Sequence, residues 1–389
     1  MGAVGLMISA AALMFFLYRL RGEWGEILEA FKRARYVYLI PAIAMLVVLY
    51  ALRIARWRLF LKPIKPVRWF SATSATMIGF TANNVLPARL GEVIRPYLLE
   101  RHEKVGFGRA LATIGLARVF DLIGLALLLL FTWAILAASP RIKEDLIPAS
   151  GGGASAADNG RAPALQTDRG GGPDAAQQQE SLIRKVWKGG MIVAGMAVVG
   201  TCVLLGLALF PSPILRAGEA CAQVLPEAWR APLVGLMHSV VETMGFLKNW
   251  RGVGLAVAMS FGVWVSQGLS TWAIAEGLGL EIGAAGAFLA VLFVSAAVAV
   301  PQGPGFLGTF HLAATLAAEV FAASTVEAGA FALLMWLVNV VPVTLAGFAF
   351  LGYEGLNLKK LSEESREMEE EEEEEIERAI EEQGGGKRK

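Results

Sequence analysis

The chain is poor in the residues with which most soluble enzymes do chemistry. Among 389 residues there are two cysteines and three histidines. Cys202 and Cys221 have neither metal-ligand nor redox spacing, and Cys202 lies inside an apolar run, so both read as packing residues. His102, His238 and His311 show no metal spacing either. There is no phosphate loop, no G-x-S-x-G elbow and no H-E-x-x-H. These absences argue against an energy-coupling ATPase and a metal hydrolase, and no metal or cofactor is expected. Charge is scarce too, at 18% of residues against roughly 25% in a typical soluble domain.

Apolar side chains fill the gap: 55% of residues are hydrophobic and the mean hydropathy is +0.54. Long apolar runs recur along most of the chain, and about 20 residues at ~1.5 Å each cross a hydrocarbon core ~30 Å thick. A backbone in lipid must satisfy its own hydrogen bonds, so these runs are helices. The apolar–polar alternation of a membrane barrel strand is missing. The expected fold class is therefore all-α, a polytopic integral membrane helical bundle of about eight transmembrane helices plus re-entrant or broken helices. The spans fall at 4–20, 36–52, 110–137, 189–210, 254–276, 284–300, 306–321 and 328–351. Residues 1–20 lack a basic start and a small-residue cleavage site, so they read as a retained helix.

Polar interruptions divide the chain. Residues 70–86 carry Ser, Thr and two Asn and run into Pro87, which suits a re-entrant stretch better than a free-standing span. Residues 1–138 form an N-terminal membrane part with that stretch near 70–95. A low-complexity loop at 139–187 lacks the apolar side chains for a core and is expected to be disordered. Residues 188–352 form a C-terminal membrane part broken at 300–308, and 353–389 an acidic solvated tail. Because 13 glutamates fall between 363 and 382, the first 362 residues hold 30 basic against 21 acidic groups. That surplus suits anionic headgroups and, with no soluble basic domain, does not suggest nucleic acid.

Eight spans place both termini on one side. Eleven Lys or Arg between 53 and 109 make that side cytoplasmic, although five more between 19 and 36 then face outward. Arg53, Arg56, Trp57 and Arg58 are expected to anchor the second span at the interface. Gln267, Glu319 and Asn339 are expected to bond between helices.

Three constellations hold the remaining polar chemistry. In the first, Asn83, Asn84, Pro87, Arg89, Gly91, Glu92 and Arg95 follow one another. Arg89, Glu92 and Arg95 recur every third residue, on one face of a helix, where two guanidiniums around one carboxylate suit a phosphate. Pro87 fits a first helical turn whose freed N–H groups favour an anion, with the asparagines lining the break. The plainer alternative is a loop whose charges meet water and headgroups.

The second constellation is Arg118 and Asp121, an i,i+3 pair inside a span. It serves either as a structural ion pair or, coupled to Glu92, as part of a site. The third is Pro301, Gly303, Pro304, Gly305, Gly308, Thr309 and His311, whose breaks point a helix N-terminus at any anion held there. A simple kink is the alternative, though three glycines and two prolines in eight residues exceed what a kink requires. The spacing P-x-x-L-G occurs at both 87–91 and 304–308, as in transporters whose repeats carry paired broken helices.

Taken together, N-N-x-L-P-x-R-x-G-E-x-x-R, the R-x-x-D that follows and P-x-G-P-G-x-x-G-T resemble the lysylphosphatidylglycerol synthase transmembrane family, a flippase-like membrane domain. The resemblance runs in order from about residue 6 to 351 and implies functional positions at Asn84, Pro87, Arg89, Gly91, Glu92, Arg95, Arg118, Asp121, Pro304, Gly305 and Gly308. Where the family commonly shows a glutamate after the G-x-x-G turn, this chain has His311, which points to a different headgroup. No transferase domain follows the last span in these residues, so translocation rather than synthesis is expected. The resulting reading is a lipid translocase or lipid-binding transporter of the bacterial inner membrane, for an anionic or phosphate-bearing lipid. Its partners are membrane lipids and a lipid-modifying enzyme. A membrane enzyme or subunit acting on a lipid-linked substrate, with Glu92 or Asp121 as acid or base, ranks second. A small-solute or ion transporter ranks third.

Overall fold

The structure is a computed structural model that describes residues 2–86, 89–138, 246, 249–299, 303–321, 323–365 and 367. Every regular element among them is a helix. The expected span at 189–210, the low-complexity loop, most of the acidic tail, Pro87 and Pro301 lie outside the described residues.

The helices of the bundle follow in chain order among the described residues: α1 (Gly2–Arg19), α2 (Trp24–Arg33), α3 (Leu39–Leu61), α4 (Trp69–Val85), α5 (Gly91–Glu103), α6 (Phe107–Ala138), α7 (Trp250–Leu278), α8 (Gly283–Ala299), α9 (Thr309–Glu319) and α10 (Thr325–Glu354). Among the described residues four helical stretches are long and apolar enough to cross a membrane: Tyr36–Leu61, Phe107–Leu136, Trp250–Leu278 and Thr325–Glu354. The pair α1 and α2, bent by 85° at the break between them, would make a fifth only if counted as one span. The bend follows from composition. After the apolar α1, α2 buries Ile27 and carries Glu26, Glu29, Lys32 and Arg33 elsewhere, the pattern of a helix lying along an interface.

The five basic residues between 19 and 36, awkward as free loop charge, are largely tied down. Arg19 grips Glu319 with two hydrogen bonds of 2.7 and 3.1 Å. Lys32 bonds Glu29 at 2.8 Å. Arg35 donates from its side chain to the Glu276 carbonyl at 3.0 Å and from its backbone to that of Gly277 at 2.7 Å. These contacts gather the ends of α1, α7 and α9 and the start of α3 at one face of the bundle.

Two hairpins enter from opposite faces. Helices α4 and α5 run antiparallel, with their open ends joined where Arg68 Nε and Ser71 Oγ donate to Glu103 at 2.8 and 2.6 Å. The α4–α5 pair thus returns the chain to the end at which it began. Two expected spans, 284–300 and 306–321, are instead the arms of a second hairpin. Its α9 has 11 residues, about 16 Å long and half a hydrocarbon core. Phe321, just past α9, packs beside Gly286 at the start of α8. Apolar length marks both arms as spans, but the Pro/Gly break returns the chain to its starting face.

The tips meet. Arg89 donates to the Val298 carbonyl near the end of α8, and the Asn84 carbonyl lies beside Gly305. The two P-x-x-L-G segments fall at these tips. Helix α10 braces both hairpins: Asn84 Nδ2 bonds Thr344 Oγ1 at 2.9 Å and Trp336 Nε1 bonds the Gly305 carbonyl at 2.7 Å. At its far end, Glu354 accepts from Ser74 and lies 3.2 Å from His102 Nε2. Gln267 Nε2 bonds Asn339 Oδ1 at 2.9 Å between α7 and α10, as expected of lone polar groups in spans. Beyond α10, Glu364 accepts from the Tyr97 hydroxyl at 2.6 Å, and this hydrogen bond holds its carboxyl below the usual range.

Helix α10 opens on a capping box, Ser324 and Glu327 each accepting from the other's backbone. Ser324→Ala is expected to lower stability by about 1 kcal/mol, measurable by denaturant titration of the purified protein. No change would mean that tertiary packing alone holds this helix end.

Candidate functional site

Helices α3, α4, α5 and α6 line a small cavity of about 20 Å³ that opens on one side. Four arginines line it, Arg53, Arg56, Arg95 and Arg118, with one carboxylate, Asp121, and the rings of Trp57 and Phe80. Helix geometry places these charges deep. Arg53 lies about 12 Å along α3 from its end at Leu61, and Arg95 about 12 Å along α5 from Glu103. Asp121 lies about 21 Å into α6 from Phe107. Ionisable groups at such depth are costly and face a bundle interior or a water-filled cavity.

Close backbone approach builds the α4–α5 wall. A Cβ on Gly91 would stand 1.8 Å from the Gly79 carbonyl oxygen, and one on Gly79 would stand 2.2 Å from Arg95 Cγ. Glycine at 79 therefore leaves the room through which Arg95 reaches the cavity. Asn83 Oδ1 accepts from the Gly91 N–H at 2.9 Å and so caps the start of α5. That donor was expected to be free for an anion; the asparagine side chain occupies it.

The charges fall into two groups. Arg56 is almost fully buried, donating to Asp121 Oδ1 and to Ser260 Oγ, each at 2.5 Å. Arg118 pairs with Glu92 and lies 3.7 Å from Asp121 Oδ2. These two guanidiniums are matched by two carboxylates. Arg53 and Arg95 have no ion-pair partner among the described residues, and the Nε of each is buried without an acceptor. Both rest on aromatic faces, Arg95 4.4 Å from the Trp57 ring centroid and 5.6 Å from that of Phe80, Arg53 5.5 Å from Phe80. Such contacts are worth up to about 2 kcal/mol when desolvated, well short of a guanidinium's lost hydration.

Of the residues singled out in sequence, Glu92, Arg95, Arg118 and Asp121 come together here. Arg89 does not join them: it precedes α5 with a φ of 56°, off the helical register that would stack it over Glu92, and docks at the other hairpin tip. Asn83 and Asn84 hold backbone and α10. At the second break, the Gly303 N–H donates to Ser9 Oγ at 2.8 Å, Pro304 opens a short 3₁₀ turn to Phe306, and Gly308, with a φ of 88°, precedes Thr309 at the start of α9. Trp336 Nε1 donates to the Gly305 carbonyl at this break. His311 packs between Phe16 and Trp336, ring centroids 5.0 and 5.6 Å away, outside the cavity.

The expectation that Arg53, Arg56 and Trp57 form an interfacial anchor is overturned: α3 runs unbroken to Leu61, and all three line the cavity. Only Arg58, 4.2 Å over Trp69 and bonded to the Val67 carbonyl at 2.9 Å, fits an anchor. The available signal was the i,i+3 spacing of Arg53 and Arg56 directly after an apolar run, the same spacing as Arg118 and Asp121.

The family model for the lysylphosphatidylglycerol synthase TM region matches residues 2–156 and 177–347, which include every residue lining the cavity. The chain belongs to the lysylphosphatidylglycerol synthase transmembrane family. It is 24% identical over 320 residues to a Haloferax volcanii protein named glycosyltransferase AglD, covering 80% of this chain and 47% of that protein. The chain thus spans about half the length of this curated relative. No solved structure matches it.

In this member of the lysylphosphatidylglycerol synthase transmembrane family, the cavity lining holds four guanidiniums and one carboxylate among the described residues. Asp121 has both oxygens facing guanidiniums, and the lining includes no thiol, hydroxyl or imidazole among the described residues. Two forks of guanidinium donors remain for a bound oxyanion.

Proposed function

We propose that this protein is a lipid translocase or lipid-binding transporter of the bacterial cytoplasmic membrane that holds the phosphate of an anionic lipid in the arginine-lined cavity. The observation behind this reading is the pair Arg53, half-buried, and Arg95, buried, which have no ion-pair partner among the described residues. An anionic headgroup would supply that partner, and its acyl chains would remain in the surrounding lipid. The opposed hairpins support the same reading, since paired broken helices around a midplane site are a recurring transporter arrangement. Cytoplasmic termini and a lipid-modifying enzyme as partner complete it.

The glycosyltransferase name of the Haloferax relative favours the second reading, action on a lipid-linked substrate. Against it stands Asp121, which is engaged by Arg56 and Arg118 and so a poor general base.

The test is reconstitution into liposomes containing a headgroup-labelled anionic phospholipid, with leaflet exchange followed by quenching from outside. Wild type is expected to exchange the label, and the Arg53→Gln/Arg95→Gln variant to do so at least about tenfold more slowly, the loss of roughly one charge-assisted hydrogen bond in the bound state. Equal rates in well-folded samples would overturn the proposal.

A further inference from the structure

We infer that the group held in the cavity is a dianionic terminal phosphate, the phosphomonoester end of a lipid, in preference to the singly charged diester of ordinary phospholipids. The inference rests on the reading of the cavity as a lipid-anion site and adds the charge and shape of the headgroup.

Charge is the first argument. Among the described residues Arg53, Arg56, Arg95 and Arg118 contribute four positive charges, while Asp121 and Glu92 return two. The surplus of two sits where uncompensated charge is expensive. A phosphomonoester carries about −1.5 to −2 at neutral pH and cancels it. A diester, at about −1, leaves one buried guanidinium unmatched.

Geometry is the second. Arg53 on α3 and Arg95 on α5 both lie against the Phe80 ring, 5.5 and 5.6 Å from its centroid, so the two unpaired guanidiniums converge although their helices differ. Each presents a fork of donors that favours two acceptor oxygens at once. A terminal phosphate offers three non-bridging oxygens and can meet both forks, whereas a diester offers two.

The experiment is native mass spectrometry of the purified full chain titrated with phosphatidic acid, phosphatidylglycerol or inorganic phosphate, beside the Arg53→Gln/Arg95→Gln variant. Wild type is expected to bind phosphatidic acid at least about tenfold more tightly than phosphatidylglycerol, as one additional charge-assisted contact allows. The variant is expected to lose that preference. Equal or tighter binding of phosphatidylglycerol, still dependent on the two arginines, would overturn the dianion inference and leave the lipid-anion reading in place. No binding of either lipid by wild type would remove the underlying reading as well. Inorganic phosphate competing as strongly as phosphatidic acid would make this a solute site and overturn the lipid assignment. The wild-type comparison stands whether or not the variant folds.

Discussion

Asp121→Ala is expected to destabilise the protein by about 3–5 kcal/mol, the usual cost of removing one partner from a buried ion pair. The Asp121 carboxylate receives Arg56 at 2.5 Å and stands 3.7 Å from Arg118. The Arg56 side chain is 3% exposed, so water cannot replace the lost partner. Removing the carboxylate would also raise the local surplus of positive charge from two to three. The backbone contact from Trp264 Nε1 to the Asp121 carbonyl, 2.9 Å, survives the substitution and keeps α6 and α7 in register. The loss is therefore electrostatic, and Arg56→Met in the same chain should recover part of it by removing the orphaned charge. Denaturant unfolding of the two single variants and the double variant completes the cycle. A loss below about 1 kcal/mol for Asp121→Ala would mean that the cavity is wet enough to hydrate Arg56 and that the charge accounting is wrong.

The membrane class was legible in composition, because lipid leaves a long apolar chain few choices of backbone structure. The first hairpin was legible too: Ser, Thr and Asn in residues 70–86 are poor company for lipid. The second was not, since α8 and α9 are as apolar as true spans and differ only in where the chain turns back. Among the arginines, Arg118 sits beside Asp121 on its own helix and pairs with Glu92 across to α5, the coupling that the sequence raises. Arg53 and Arg56 were missed because a charge after an apolar run looks the same whether the helix ends or continues. Here α3 continues to Leu61, which turns a supposed headgroup anchor into cavity lining. The same confusion inflated the count of cytoplasmic charge between 53 and 109, where Arg53, Arg56 and Arg95 line the cavity rather than a loop. Arg89 shows the converse error: its three-residue spacing from Glu92 means nothing outside the helix that begins at Gly91.

Gly91→Ala and Gly79→Ala are expected to fail in different ways, and the difference tests how the cavity is built. A methyl at 91 meets the backbone oxygen of Gly79 at 1.8 Å, and that oxygen cannot move unless α4 moves. The substitution should cost about 3 kcal/mol or more, at the upper end of overpacking penalties, by prising the hairpin apart and loosening the Asn83 cap. A methyl at 79 meets the Arg95 stem, Cγ at 2.2 Å and Cδ at 2.7 Å, and a side chain can swing aside. Its stability cost should be smaller, about 1–2 kcal/mol. The displaced guanidinium, however, leaves the Trp57 and Phe80 rings and no longer converges on Arg53. Gly79→Ala should therefore stay folded and lose lipid retention, while Gly91→Ala should lose both. Thermal unfolding and retained-lipid mass spectrometry on the same samples separate the two. If Gly79→Ala keeps wild-type retention, Arg95 is a packing residue and the ligand is held without it.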